Sequence, residues 1–317
     1  MKILITRKLP GNIESKLIEQ GYDVKVFNQD EPAPVEFLLK HGENADAIIS
    51  MLSDQFDSNL IDKLNKCKII ANYAVGYNNI NVEAAKKKNI IVTNTPDILT
   101  HATADVAVAL ILSCARNIIE GDKFVRDGKF VGWKPQLLLG IELKNSIAGI
   151  VGAGRIGQET AKRLKAFGMK IIYYSKSRKE NFENETGARK VSLEKLMQTS
   201  DVISIHLPLN DSTYHLVNEE RLSLMKPTAV FINTARGEVV DEKGLIKMLK
   251  QKKIFSAGFD VYENEPEINK ELLKLKNVVL LPHIGSATFT TRIRMANLAA
   301  DNVINVLKGK KPKTPVW

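Results

Sequence analysis

Three glycines, Gly152, Gly154 and Gly157, stand in GxGxxG spacing within the stretch "SIAGIVGAGRIGQETAKRLKAFGMKIIYY". An apolar run that favours a strand precedes them, and a pattern that favours a helix follows. In this context the first glycine permits a tight turn, the second lets the backbone approach a pyrophosphate, and the third lets the helix pack on the strand. The helix N-terminus adds N–H donors for phosphate groups. The loop therefore predicts a dinucleotide site formed by Gly152, Ala153, Gly154, Arg155, Ile156 and Gly157.

The end of the second predicted strand carries Ser175, Lys176, Ser177 and Arg178. A dinucleotide site usually has an acidic residue there, which holds the ribose hydroxyls. A carboxylate would repel a ribose 2′-phosphate, whereas two cations and two hydroxyls would bind it. We therefore predict NADP(H) as the preferred cofactor, with NAD(H) as the second candidate. The alternative is an exposed polar turn that merely tolerates NAD, because lysine is common throughout the chain.

Two series of short β-branched runs, each alternating with amphipathic helical patterns, must position these residues. The first series predicts strands at 2–6, 24–27, 47–51, 68–72 and 90–93. The second predicts strands near 146–151, 170–174, 202–206, 229–233, 256–258 and 278–280. The alternation predicts an α/β fold of two doubly wound parallel-sheet domains, a flavodoxin-like substrate domain and a Rossmann cofactor domain.

Two helical stretches set the predicted domain boundaries. A long apolar helix at about 100–120 lies between the two series of strands and carries the chain from one domain to the other. A final helix at about 288–307 follows the second series and could pack on either domain; we assign it to the first. The predicted domains are then 1–98 plus 287–317 for substrate binding, as a lid, and 99–286 for dinucleotide binding.

The composition argues against several other classes of protein. The net charge is +10 over 317 residues, but the lysines are spread along helix faces without interleaved aromatic residues, so we expect no nucleic-acid partner. The most apolar stretch, 106–112, is far shorter than the roughly 20 residues of a membrane helix, and we expect no membrane partner. The N-terminal stretch shows no signal-peptide pattern. Cys67 and Cys114 lack metal-ligand spacing, so we expect no metal site and two buried thiols in a reducing, cytoplasmic location.

Five further motifs extend over nearly the whole chain: "ANYAVGYNNI", "WKPQLLLG", "FINTARGEVVDEKGL", "AGFDVYENEP" and "LLPHIGSAT". With the glycine loop they resemble the D-isomer-specific 2-hydroxyacid dehydrogenase family, most closely its glyoxylate and hydroxypyruvate reductase branch. The resemblance implies an enzyme that transfers hydride from a nicotinamide to a small 2-keto acid and yields a D-2-hydroxy acid.

The resemblance implies three catalytic residues, Arg236, Glu265 and His283. The planar guanidinium of Arg236 suits a 2-keto acid, since it pairs with the carboxylate and polarises the carbonyl. His283 matches the family's acid/base, and imidazole exchanges protons readily near neutral pH. Glu265 matches the carboxylate that pairs with this imidazole and favours its protonated form. Without the other motifs, a helix-start glutamate before Pro266 would be the favoured interpretation of Glu265.

The resemblance also implies residues that line the two ligand sites. The substrate contacts are the backbone N–H groups of Val75 and Gly76, which form an anion nest, with Arg236 and His283. The cofactor contacts beyond the glycine loop and residues 175–178 are Thr103, His206, Leu207, Pro208, Thr234, Ala235, Arg236, Asp260, His283 and Gly285. Asp260 matches the residue that receives the nicotinamide carboxamide.

The apolar loop that begins at Trp133 resembles the region that crosses a two-fold homodimer in the reductase branch. It could instead fold onto its own domain, but the long apolar helix before it favours a homodimer. Two other functions stay open at this point. One is a reductase of larger substrates such as 2-ketogluconate, and the other is a non-catalytic, nucleotide-sensing protein like the corepressors that share this fold.

Overall fold

The computed structural model describes residues 1–317, which form two compact units. The discontinuous unit consists of Met1–Leu99 together with Ser286–Trp317, and the continuous unit consists of Thr100–Gly285. The strands are β1 (Lys2–Ile5), β2 (Asp23–Val26), β3 (Ala47–Ser50), β4 (Ile69–Asn72), β5 (Ile91–Thr93), β6 (Ile147–Val151), β7 (Lys170–Tyr174), β8 (Arg189–Lys190), β9 (Val202–Ile205), β10 (Val230–Asn233), β11 (Ser256–Phe259) and β12 (Val278–Leu280).

The α-helices are α1 (Ile13–Glu19), α2 (Val35–Gly42), α3 (Ser58–Asp62), α4 (Val82–Lys87), α5 (Thr100–Ala115), α6 (Ile118–Arg126), α7 (Arg155–Ala166), α8 (Glu180–Thr186), α9 (Leu193–Thr199), α10 (Glu219–Ser223), α11 (Glu242–Lys250) and α12 (Phe289–Leu307). Two short 3₁₀ helices cover Gly237–Val239 and Leu272–Lys274. No single helix is long and apolar enough to cross a membrane, although the bent pair of α5 and α6 passes that test by length and composition.

The discontinuous unit is built on one parallel sheet with the strand order β2-β1-β3-β4-β5. Strands β3 and β4 are buried along their whole length, as expected for parallel strands covered by helices on both faces. On one face, α12 packs Ala296, Ala299 and Val303 against Ile3 and Ile49. The order is that of a flavodoxin-like sheet, which confirms the predicted class.

The end of the chain forms a strap on the edge of this sheet. Pro315 makes an antiparallel bridge to Thr93, and the N–H of Val316 donates to the carbonyl of Val92 at 3.0 Å. The Thr314 hydroxyl donates to the carbonyl of Asn94 at 2.6 Å. The strap therefore fixes the segment that follows β5.

The continuous unit is built on a seven-stranded parallel sheet with the order β12-β11-β10-β9-β6-β7-β8. The chain starts in the middle, moves outwards to β8, and returns past β6 to β9, which is the Rossmann arrangement. This again confirms the predicted class. The two-residue strand β8 was not expected from the sequence, because two exposed cationic residues carry no apolar signal.

The predicted helix at 100–120 is wrong in its length. The structure ends α5 at Ala115 and starts α6 at Ile118. Between them Asn117 adopts a left-handed conformation, with φ of 51°. Its side-chain amide donates to the carbonyls of Leu138 and Leu139 at 3.3 and 3.1 Å, contacts that a continuous helix would not allow. Asparagine tolerates this conformation better than most residues, which makes it a suitable break point.

Candidate active site

The predicted ligand residues of the continuous unit lie along a single edge of its sheet. All strands run parallel, so their carboxyl ends share that edge, where ligands of doubly wound folds bind. The glycine loop follows β6, Ser175 to Arg178 follow β7, His206 to Pro208 follow β9, Thr234 to Arg236 follow β10, and Asp260 follows β11. Glu265 lies between β11 and β12, and His283 and Gly285 follow β12.

The three glycines of the loop have different surroundings. Gly152 has a φ of +103°, which a residue with a side chain rarely adopts. A Cβ on Gly157 would lie 2.2 Å from the carbonyl oxygen of Gly152, so only glycine lets α7 approach this closely. A Cβ on Gly154 would meet nothing in the chain within 4 Å. Neither packing nor a positive φ requires glycine at 154, which fits a position that a pyrophosphate approaches.

The four residues after β7 make contacts that bear on the predicted phosphate pocket. Arg178 is ion-paired with Glu183, at 2.8 Å from its Nε and 2.7 Å from its Nη2. The hydrogen bond from Arg178 is the main reason that the pKa of Glu183 is lowered. Lys176 is exposed and its Nζ lies 3.2 Å from the hydroxyl of Ser212. Lys176 thus holds only a neutral partner here, whereas Arg178 is already paired with a carboxylate.

A buried asparagine shapes the turn that carries Arg236. The side chain of Asn233 donates to the carbonyl of Arg236 at 2.8 Å and accepts from the N–H of Ala235 at 3.0 Å. A Cβ on Gly237 would lie 2.0 Å from the carbonyl carbon of Tyr262, so the turn is in direct backbone contact with the Glu265 segment. Burial lowers the pKa of Arg236, while the charges of Glu265 and Glu238 raise it.

Glu265 and His283 form a hydrogen-bonded pair. Nδ1 of His283 lies 2.8 Å from Oε2 of Glu265, and the two side chains are 33% and 34% exposed. Oε1 of Glu265 accepts from the N–H of Tyr262 at 2.9 Å. Burial raises the pKa of Glu265, but the hydrogen bond and charge of His283, the Tyr262 N–H and the charge of Arg236 together bring it below its ordinary value.

An ionised carboxylate can only accept, so Nδ1 of His283 carries the hydrogen of this bond and Nε2 is left to exchange a proton. The backbone of His283 has a φ of 54°, an uncommon conformation for a residue with a side chain. Asp260 holds it there, because its two oxygens accept from the N–H groups of Ile284 and Gly285, both at 2.7 Å. Burial raises the pKa of Asp260 despite these bonds.

Three further predicted cofactor residues, Thr234, Thr103 and His206, have contacts or burial that bear on a cofactor site. Thr234 is buried, and its hydroxyl oxygen has no hydrogen-bond partner within the chain. The hydroxyl oxygen of Thr103 would lie 3.4 Å from a Cβ on Gly285, so α5 begins beside the His283 segment. His206 donates its backbone N–H to Val151 at 2.7 Å, and burial lowers its side-chain pKa to about 3. Its imidazole is therefore neutral at physiological pH.

Val75 and Gly76 follow β4 in the discontinuous unit. The carbonyl of Ala74 accepts from the N–H of Thr95 at 2.8 Å, and the carbonyl of Val75 accepts from the side chain of Asn94 at 2.8 Å. In a trans peptide the N–H points opposite to the carbonyl. The N–H groups of Val75 and Gly76 therefore both point away from the segment after β5, as an anion nest requires.

Sequence reasoning missed several residues that shape these sites. Asn233 positions Ala235 and Arg236 through two hydrogen bonds, and Tyr262 and Asn94 each position a predicted residue through one. Asn233 had a detectable signal, since it is a polar residue that ends an otherwise apolar strand beside Arg236. Tyr262 acts through its backbone N–H, and Asn94 contacts a residue 19 positions away, so neither had a sequence signal.

The chain matches the model of the family "D-isomer specific 2-hydroxyacid dehydrogenase, NAD binding domain" over residues 108–285. It is 51% identical to a glyoxylate reductase of Thermococcus litoralis over 315 residues, which cover 98% of this chain and 95% of the relative. It is 49% identical to a glyoxylate reductase of Pyrococcus horikoshii, with 99% and 95% covered. An NADPH-dependent glyoxylate/hydroxypyruvate reductase from Sinorhizobium meliloti, solved with NADP and malonate, superposes with a TM-score of 0.89 at 32% identity and covers 99% of this chain and 96% of its own.

Proposed function

Since this chain belongs to the D-isomer-specific 2-hydroxyacid dehydrogenase family, we propose that it reduces glyoxylate and hydroxypyruvate to D-2-hydroxy acids with a nicotinamide cofactor, preferably NADPH. The observation that carries this proposal is the Glu265–His283 pair, 2.8 Å apart, beside the Arg236 turn at the carboxyl edge of a Rossmann sheet. The substrate class is inferred from the names of the relatives. The Glu265–His283 pair is the proposed source of the proton that reduction of a ketone requires.

The residues of this chain divide the work of reduction between them. A bound nicotinamide supplies the hydride that the keto carbon receives. His283 donates the proton that the keto oxygen needs, from Nε2, because Nδ1 is held by Glu265. Glu265 keeps the imidazole in this tautomer and stabilises its protonated form. Asp260 holds the backbone that follows His283, and it would receive the carboxamide of a bound cofactor.

Substrate binding uses charge and oriented dipoles. Arg236 pairs with the substrate carboxylate and polarises the carbonyl, and burial strengthens both interactions by excluding water. In the discontinuous unit, the N–H groups of Val75 and Gly76 are the proposed anion nest for a carboxylate. We assign substrate binding to residues 1–98 and 287–317, and dinucleotide binding to residues 99–286, as the sequence predicts.

Cofactor binding is supported by two features that the fold alone does not explain. Gly154 has open space where a side chain would lie, and the buried Thr234 hydroxyl lacks a partner within the chain. We propose that the glycine loop and Thr103 bind the pyrophosphate, that His206, Leu207 and Pro208 line the adenine side, and that Thr234 and Ala235 bind the nicotinamide ribose. Ser175, Lys176, Ser177 and Arg178 bind the 2′-phosphate, with Lys176 contributing most because Arg178 is shared with Glu183.

The coenzyme preference is tested by three substitutions. Lys176→Ala combined with Arg178→Ala should weaken NADPH binding by about 10-fold or more and leave NADH binding nearly unchanged, because only the phosphate contacts are lost. Glu183→Gln should strengthen NADPH binding, since it frees Arg178 for the phosphate. Fluorescence titration with each coenzyme measures both effects. Equal losses for NADPH and NADH in the double variant would show that the phosphate pocket lies elsewhere.

We also propose a homodimer in the cytoplasm. The segment around Trp133 exposes a group of apolar side chains: Phe130 at 57%, Val131 at 80%, Trp133 at 84% and Leu139 at 66%. Exposed apolar patches of this kind mark association surfaces, and this one continues along α6, where Ile119 is 54% exposed. Cys67 and Cys114 are free and buried thiols, which suits a reducing compartment.

The proposed activity is tested by one assay of cofactor absorbance with a panel of 2-keto acids and both coenzymes. Glyoxylate and hydroxypyruvate should give the highest kcat/KM, and NADPH should exceed NADH. If 2-ketogluconate exceeds both, the substrate assignment changes to the larger acids. Coenzyme binding without turnover of any keto acid would favour the nucleotide-sensing alternative and reject the proposal.

A further inference from the structure

The continuous unit contains a second histidine–glutamate pair, separate from Glu265 and His283. Nε2 of His215 lies 2.7 Å from Oε1 of Glu263, and the two side chains are 32% and 18% exposed. The ring of His215 stacks on Tyr214 with centroids 4.2 Å apart. His215 also has a φ of 44°, so two sets of contacts hold it in an uncommon conformation.

The pair closes a junction between three backbone segments. His215 donates its backbone N–H to the carbonyl of Glu238 at 2.8 Å, which joins residues 213–217 to the Arg236 turn. The Arg236 turn contacts the Tyr262–Glu263 peptide through Gly237, where a Cβ would lie 2.0 Å from Tyr262. The side chain of His215 then joins residues 213–217 to Glu263. Each segment therefore contacts the other two.

The Tyr262–Glu263 segment connects this junction to His283, the proposed proton donor. The N–H of Tyr262 donates to Oε1 of Glu265, and the other oxygen of Glu265 holds His283. The N–H of Glu263 donates to Oε2 of Glu242 at 3.2 Å, which anchors the next peptide. Residues 260–271 form no helix or named strand, so the orientation of the Tyr262 N–H depends on this junction together with the bond from the Tyr262 hydroxyl to the carbonyl of Leu281 at 2.8 Å. Release of Glu263 would let this peptide turn and Glu265 shift.

From this geometry we propose that His215 is a positioning residue for the reduction: through Glu263 it holds the Tyr262–Glu265 segment and so orients the Glu265–His283 pair. The inference rests on the proposed function, since it concerns the same proton transfer. The charged and titratable groups around His215 are Glu263, Glu238 and Tyr214, with Glu242 and Arg236 on the segments packed behind them. The arrangement acts on the rate, because it aligns a group that contacts the substrate.

The test is a double-mutant cycle with His215→Ala and Glu263→Ala, assayed with glyoxylate and NADPH. Each single variant should lower kcat by about 10-fold, because a small misplacement of a catalytic group is costly, and the double variant should lose no more than either one. The alkaline limb of the kcat/KM–pH profile should move to lower pH in all three, because an imidazolium gives up its proton more readily when its carboxylate is misplaced. NADPH binding by fluorescence should be unchanged.

Two matched variants separate positioning from folding. Glu263→Gln keeps an oxygen that accepts from His215 and should stay close to the parent in kcat and pH profile. His101→Ala removes a third histidine–glutamate contact of this unit, to Glu159 at 3.2 Å, and should also resemble the parent. Additive losses in the cycle, an unshifted pH profile, or a loss of turnover in His215→Ala with full activity in Glu263→Ala would each reject the positioning role. Retained turnover in His283→Ala would instead reject the proposed function, so the two failures are distinguishable.

Discussion

Two carboxyl groups, Asp54 in the discontinuous unit and Glu265 in the continuous unit, lie beyond the carboxyl ends of parallel strands, and their pKa values are shifted in opposite directions. Asp54 follows β3 and is 2% exposed. It accepts from the hydroxyl of Thr6 and from the N–H of Met51. Burial raises its pKa, and these bonds and the charge of Arg7 do not reverse the effect. For Glu265 burial also raises the pKa, but its partners reverse it.

The opposite pKa shifts of Asp54 and Glu265 arise from their interaction partners and not from the depth of burial alone. The two hydrogen-bond donors of Asp54 are neutral, and one of its oxygens is buried without a partner. Glu265 has a partner that can carry a positive charge, His283, and lies near the guanidinium of Arg236. The pKa of a buried carboxyl group at a strand end is thus lowered only where the interactions that favour its ionised form outweigh the cost of burial. Asp54 instead connects β1 to the segment after β3.

The largest effect is expected for His283→Ala. This change removes the proposed proton donor and leaves Glu265 without its hydrogen-bond partner. We expect kcat for glyoxylate to fall by about 10² to 10⁴-fold, as for loss of a general acid, with NADPH binding retained. Steady-state kinetics and coenzyme titration measure the two quantities, with His101→Ala as the control. Unchanged turnover would show that His283 is not the proton donor and that its pairing with Glu265 has no catalytic role.

Glu265→Gln should have the next largest effect. The amide can still accept from Nδ1 of His283, but the negative charge that favours the protonated ring is lost. We expect kcat to fall by about 10- to 100-fold and the alkaline limb of the pH profile to move to lower pH. A pH profile of kcat/KM from pH 5 to 9 checks this. An alkaline limb at the parent position would mean that the charge of Glu265 does not support the acid.

The smallest expected effect is on thermal stability, where substitutions of Asp54 and Glu265 should act in opposite directions. The carboxyl of Asp54 has a raised pKa, so its contribution to folding is present below its ordinary value of 3.8 and is lost as pH rises through the raised value. Asp54→Asn should therefore raise the melting temperature at pH 7 by about 2–4 °C, on the order of 1 kcal/mol, and this gain should shrink towards pH 4.

Glu265→Gln should change stability in the opposite direction. Its lowered pKa gives a contribution that is present above its ordinary value of 4.5 and is lost as pH falls through the lowered value. The melting temperature should fall at pH 7, and the difference should narrow in acid. Calorimetry of both variants at pH 7 and pH 4 compares the signs directly. The same sign for both variants at pH 7 would contradict the distinction drawn between the two carboxyl groups.

The fold and the strand-end positions of the site were predictable from sequence for a physical reason. A parallel sheet brings the carboxyl ends of its strands together, so strands inferred from β-branched runs already placed the glycine loop, Arg236 and Asp260 on one edge. The three glycines were interpretable because their roles depend on local backbone geometry. The identity of the acid/base pair came from the family resemblance, since nothing local distinguishes Glu265 from a helix-start glutamate.

The rest depended on contacts between segments that are distant in sequence. The break at Asn117 is stabilised by carbonyls more than 20 residues later. The pairing of Arg178 with Glu183 depends on how α8 follows β7. Because of this pairing, Arg178 is less available to a phosphate than its place in the sequence suggests. His215 looked like an ordinary surface or polar-core histidine, because its partner Glu263 is 48 residues away. Side-chain pairs of this kind have no periodicity to reveal them.

The chain order of the discontinuous unit has a consequence for biosynthesis. Its sheet is made before Thr100–Gly285, whereas α12 and the strap at residues 314–316, which pack on one face and on the edge of that sheet, are made after it. On the ribosome, the apolar face that includes Ile3 and Ile49 stays uncovered until α12 has been synthesised. The residues of Thr100–Gly285 form one continuous segment and can fold before that. Nascent chains should therefore gain protease resistance in the later-made unit first, and chaperones should bind the earlier-made one for longer.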